Sequence, residues 1–163
     1  MAPQQLTDPP GAYRIVVGVD GSPASGKALE WAIEEARVRG GSLRVITAWH
    51  YPVLGDAAGS GPDTDVFRQS AADDQAALIS AAGGERSGLS TEVIEGSAVQ
   101  VLLDAARDAD LLVVGSRGHG GFAGLLLGSV SAQLVHHAPC PVLVVREPES
   151  GRGAQPAAQG DQS

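Results

Sequence analysis

The sequence predicts a three-layer α/β domain around a five-stranded parallel sheet. Its composition is 43% hydrophobic but only 4% aromatic, with 22 glycines in 163 residues, which suits a Val/Leu/Ile/Ala core between closely approaching elements. Five short runs rich in β-branched residues alternate with about four helical segments. Residues 15–19 and 111–114 are apolar on both faces, as strands covered by helices on both sides must be.

Taken in order, YRIVVGV is the first strand and SLRVITAW the second, with a helix between them. That helix starts at Ser22 as N-cap with Pro23 at its first position, where the missing N–H costs nothing. Leu29, Ile33 and Ala36 fall on one face, and Gly40-Gly41 stops it. Residues 52–65 form a polar, Gly-rich loop before a second helix of about 66–82. STEVIEG is the third strand; Ser97 then starts a helix whose apolar face is Ala98, Leu102 and Ala105. DLLVVGS, a helix of about 129–138 presenting Val130, Leu134 and Ala138, and CPVLVVR complete the set. Residues 1–12 and 148–163, rich in Pro, Gly, Gln and Ser, are expected to be disordered tails around a domain at 13–147.

A net charge of -8 argues against nucleic acid or an anionic membrane as partner, because either needs a basic face. No apolar run approaches the roughly 18 residues of a membrane span, and the first twelve residues lack a signal-peptide pattern. The expectation is a cytoplasmic protein. Cys140 stands alone, without disulfide partner or zinc-ligand spacing, and is expected to be a small buried strand residue.

Three stretches imitate phosphate-binding loops. The first, Gly21 to Lys27, has the P-loop spacing of two glycines and a lysine, but Ala28 stands where a Ser or Thr hydroxyl would meet magnesium. Pro23 also removes a donor from the cradle, so a capped helix with an exposed Lys27 is the reading. The second, Gly118, Gly120 and Ala123, mimics a dinucleotide fingerprint but is followed by glycine-broken chain rather than a long helix. The third runs from Gly115 through Gly118 to Gly128-Ser129, leaving a strand and ending at a helix whose first turn has free donors and the positive dipole end. Arg117 adds a charge, and Ser129 and Ser131 add hydroxyls; a phosphate loop and a plain glycine-rich crossover both fit that spacing.

Gly115, Gly118, Gly128 and Ser129 closely resemble the signature G-x2-G-x9-G-[S/T] of the ATP-binding branch of the universal stress protein family. The resemblance extends over 13–147 through VVGVDGSPAS, DLLVVGSRG and HHAPCPVLVVR. It implies a Rossmann-like, adenine nucleotide alpha hydrolase-like fold with strand order 3-2-1-4-5. Strands one and four are then neighbours where the winding reverses, and their carboxyl ends define a crevice.

By that resemblance Asp20 contacts the nucleoside on its ribose side, Gly18 and Val19 line the adenine, and Ala48 and Trp49 supply backbone contacts to the base. Val114, Gly115, Arg117 and Gly118 continue the site, and Gly128, Ser129, Val130 and Ser131 hold the phosphates. Asp20 has a second reading as a turn residue that caps the first helix, and Trp49 as an aromatic packed under the sheet edge. His119 is read as loop, and His136 and His137 as helix-end residues that favour the dipole.

The function so implied is an ATP-binding stress or dormancy protein, working by nucleotide-dependent changes of conformation or partner, with ATP and Mg2+ as ligands and a homodimer through the last strand. A slow ATPase or phosphotransferase in the same pocket is the alternative. No general base stands beside the phosphate loop, since Asp20 and Glu95 lie at other strand ends, so no catalytic residue is assigned.

Overall fold

The computed structural model describes residues 11–50, 64–84, 89–119 and 126–147. Five strands, β1 (Arg14–Gly18), β2 (Ser42–Trp49), β3 (Leu89–Glu95), β4 (Leu111–Gly115) and β5 (Val142–Val145), form one sheet in the order β3-β2-β1-β4-β5. All four pairings are parallel. The four helices are α1 (Pro23–Arg39), α2 (Thr64–Ala81), α3 (Ala98–Ala105) and α4 (Ser129–His137).

Strand alternation sorts the core into two clusters, one on each face. Ile15, Val17, Leu43, Val45, Leu111 and Val113 meet Ala28, Leu29, Ala32 and Ala36 of α1, with Leu78 and Ile79 of α2 packed against them. Val16, Ile46, Leu112 and Val114 meet Leu102 and Ala105 of α3 and Leu134 of α4. The double-sided apolar pattern of β1 and β4 is thus the signature of two helical layers.

Helix α1 keeps the sequence's punctuation. The Ser22 hydroxyl accepts the Ser25 N–H at 3.3 Å, Pro23 opens the helix, and Gly40 closes it in the left-handed conformation at φ 59°. Two expectations shift. Thr64 and Asp65 already belong to α2, so the helix begins inside the stretch read as loop; the rest of that loop lies outside the described residues. Ser97 occupies the N-cap of α3 without a side-chain capping bond, and Ala98 is only half-buried.

Cys140 is half-buried just before β5, against the α3/α4 cluster, and desolvation holds its thiol above the ordinary range. Apart from Gly11 and Ala12, both expected tails fall outside the described residues, as do Gly120 and Ala123.

Candidate functional site

At the carboxyl end of the sheet, β1 and β4 lie side by side and their outgoing chains part to opposite faces, α1 on one and the loop to α4 on the other. This is the topological switch point, where a parallel sheet leaves a crevice. A cleft of about 470 Å³ opens there, within the range of small-molecule sites.

The β1–α1 turn forms one lip. Ser22 donates its N–H and its hydroxyl to Asp20 Oδ1 at 3.0 and 2.5 Å, and the Asp20 N–H donates to Ser25 Oγ at 3.3 Å. Ser22 Oγ also lies 3.3 Å from the Arg117 carbonyl, tying this turn to the loop after β4. Asp20 Oδ1 thus shapes the turn that starts α1, as its second sequence reading has it, while the exposed carboxylate lines the cleft. Oδ2 makes no hydrogen bond among the described residues. A Cβ on Gly118 would run into that Oδ2, so the glycine there gives the carboxylate its place.

Gly115 has a different reason. A Cβ there would stand 2.8 Å from Ala24 C and Ser25 N, so its absence lets β4 approach the first turn of α1. Gly18 likewise makes room for Leu102, whose Cδ1 would be 2.7 Å from an added Cβ.

The opposite lip is the first turn of α4. The Gly128 N–H donates to the Ser116 carbonyl at 2.7 Å, anchoring the N-cap, and no side chain caps the helix. The N–H groups of Ser129, Val130 and Ser131 are then the unsatisfied donors every helix start carries, and these three residues line the cleft. The two serines differ. Ser131 is buried, and its hydroxyl is engaged by the Ser116 and Gly128 carbonyls at 3.0 and 3.1 Å, which corrects the expectation of two hydroxyls offered by this turn. The Ser129 hydroxyl is exposed and has no partner among the described residues.

Of the residues singled out from the sequence, Gly18, Val19, Asp20, Ala48, Val114, Gly115, Arg117, Gly118, Gly128, Ser129, Val130 and Ser131 all line this cleft. Trp49 does not. Strand alternation turns its side chain to the α1/α2 face, and its carbonyl accepts the Gly96 N–H at 2.8 Å. Lys27 lies outside the lining, paired with Glu30 at 2.8 Å, and Ala28 is fully buried. Glu95 lies instead in a separate groove with Arg44 and Asp104.

Sequence reasoning missed Ser25, Ile46, Ala98, Leu102, His119 and Leu127. The period of two along β2 was signal enough for Ile46, which shares a face with Ala48. Ala98 and Leu102 are brought in by the packing of α3 on the sheet, whereas His119 and Leu127 adjoin the predicted Gly118 and Gly128 in the chain.

The cleft has two chemical ends. Ile46, Ala48, Ala98 and Leu102 make an apolar end between β2 and α3; Arg117, Gly118, Gly128 and Ser129 make a polar end of backbone donors and one guanidinium. Among the described residues no group of three His, Cys, Asp or Glu side chains could hold a metal by itself. No described helix is long and apolar enough to cross a membrane.

Residues 12–146 match the model of the universal stress protein family. The chain is 35% identical over 161 residues to universal stress protein Rv1996 of Mycobacterium tuberculosis, which covers 87% of this chain and 50% of that protein. It thus spans about half the length of the curated relatives it matches. Among solved structures, a universal stress protein in complex with cAMP is 29% identical with a TM-score of 0.55, covering 82% of this chain and 95% of that one. The universal stress protein UspA from Lactobacillus plantarum, 24% identical, has the same fold with a TM-score of 0.64, covering 82% and 97%.

Proposed function

The chain belongs to the universal stress protein family, and we propose that its cleft binds ATP with Mg2+ and that occupancy alters conformation or partner choice in a stress or dormancy response. The observation that carries this reading is the pairing of an apolar end with an uncapped helix start in one crevice. A flat aromatic base suits the first and a phosphate chain the second. The cAMP complex of a relative supports an adenine nucleotide as the ligand class.

In this reading Gly18, Val19 and the Ala48 backbone border the adenine, and Asp20 takes the ribose with its unpartnered Oδ2. Val114, Gly115 and Gly118 flank the sugar. Arg117 and the Gly128–Ser131 turn hold the phosphates through three N–H groups and one hydroxyl. Magnesium is carried mainly by phosphate oxygens, with the Ser129 hydroxyl as the protein oxygen at hand. Trp49 joins Ala48 through its backbone alone. The protein acts by binding rather than turnover, in the cytoplasm. A homodimer forms through β5, the terminal strand of the sheet, whose outer edge offers backbone groups for pairing.

The test is to purify the protein, release any bound small molecule by heat, identify it, and follow added ATP over hours. ATP taken up and recovered intact is the expected result. No nucleotide in the extract and none bound on titration would remove the proposal, and rapid multiple turnover would replace it with an ATPase in the same cleft.

A further inference from the structure

We propose that Ser22 is a positioning residue that aims Asp20 at the sugar hydroxyls and so makes the cleft prefer ribonucleotides to their dideoxy counterparts; the inference rests on the nucleotide reading above. Ser22 lies outside the cleft lining and is only 3% exposed, so it reaches a ligand only through a neighbour. Asp20 is that neighbour.

A serine hydroxyl has one proton and two lone pairs. Ser22 Oγ accepts the Ser25 N–H at 3.3 Å, and its proton faces two acceptors, Asp20 Oδ1 at 2.5 Å and the Arg117 carbonyl at 3.3 Å. The shorter bond, to a charged oxygen, holds the proton. Oδ1 also receives the Ser22 N–H at 3.0 Å, so two donors of one residue occupy it. The backbone of Asp20 is fixed as well: its N–H donates to Ser25 Oγ, whose own proton goes to the Ser22 carbonyl at 2.9 Å. Ser25 is as deeply buried as Ser22.

One carboxylate oxygen is left. Oδ2 has no hydrogen bond among the described residues, and Gly118 leaves the space beside it open. An unrestrained aspartate spreads over a broad range of χ2. The grip of Ser22 on Oδ1 removes that freedom before a ligand arrives, so Oδ2 is preorganised to accept. Sugar hydroxyls are the donors that fit it, whereas a 2′,3′-dideoxy sugar has nothing to donate and leaves the oxygen unpaired.

Ser22 is also the N-cap of α1, a role that bears on stability alone. Glycine separates the two roles, because it is tolerated at an N-cap and carries no hydroxyl.

Wild type, Ser22→Gly, Asp20→Ala and the double variant are titrated calorimetrically with ATP and with 2′,3′-dideoxy-ATP, both with Mg2+. The two ligands share base, triphosphate and metal, so those contributions cancel in the ratio of affinities. Wild type should prefer ATP by roughly 10- to 100-fold, the scale of hydrogen bonds to a charged group. Ser22→Gly should cut that preference by roughly 5-fold or more through weaker ATP binding, with dideoxy-ATP held within about 2-fold of wild type. Asp20→Ala should bring the two affinities together, and adding Ser22→Gly to it should change their ratio no further. A Ser22→Gly preference equal to that of wild type, whether both affinities hold or fall together, would overturn the positioning role and leave Ser22 as a cap. A preference that survives in Asp20→Ala would overturn Asp20 as the group through which Ser22 works. Equal binding of both ligands by wild type would overturn the inference with nucleotide binding intact, and failure of both to bind wild type would overturn the nucleotide reading itself.

Discussion

The β1–α1 turn and the loop from β4 to α4 use the same ingredients: glycines after a buried strand, serines, a basic side chain and a helix start. They differ in what has already been spent. In the β1–α1 turn, Ser22 accepts the Ser25 N–H and gives its own donors to Asp20, while Pro23 has no N–H to offer. Lys27 faces away with Glu30, and Ala28 is sealed against the sheet. At α4, the N-cap is a glycine with no side chain to spend, so three donors remain open toward the cleft. Spacing alone makes the first loop look like the phosphate site; accounting for donors reverses the choice.

The largest expected break in that contrast is at Gly118. A side chain there displaces the Asp20 carboxylate, which Ser22 holds from the other side. Gly118→Val should weaken ATP binding by roughly 100-fold and Gly118→Ala by roughly 10-fold in calorimetry, on the scale of losing one or two charge-assisted contacts. Gly128→Ala sharpens the point. Its Cβ would sit at an ordinary 3.5 Å from Arg117 Cα and Ser116 O, so the fold should tolerate it and any loss should appear in ATP affinity alone.

Gly115→Ala comes next, because its Cβ meets backbone atoms of α1 that cannot swing aside. Overpacking of this kind costs about 2 kcal/mol, or roughly 4–8 °C in Tm by thermal melting. Ala28→Thr attempts to complete the P-loop pattern. The residue is fully buried between α1 and the sheet, so stability should fall by about 1–2 kcal/mol with no gain in Mg-ATP affinity. A gain would restore the first loop as the phosphate site.

Lys27→Ala should do least. Its ion pair with Glu30 is half-exposed, of a kind worth about 0–0.5 kcal/mol, and ATP affinity should stay within about 2-fold.

Much of this was legible in the residues. All five strands were marked by β-branched runs, α1 by Ser22, Pro23 and Gly40, and both helical layers by the double-sided apolar pattern of β1 and β4. Strand order was not, because pairing between β1 and β4 joins residues nearly a hundred positions apart; only the family resemblance supplied it. The site divided along the same line. Residues in the glycine signature were found by local spacing, whereas Leu102 and Ala98 enter the cleft through α3 packing, a tertiary fact with no local mark. Trp49 was expected to contribute only backbone contacts; adjacent strand residues face opposite ways, so its side chain turns from the cleft that Ala48 lines, and its carbonyl accepts the Gly96 N–H.

The most direct measurement follows backbone amide NMR signals during an ATP titration. The phosphates should move the Ser129, Val130 and Ser131 amides most and leave Lys27 and Ala28 nearly still. Large shifts centred on Gly26 to Ala28, with the α4 turn unmoved, would contradict the assignment of the phosphate site.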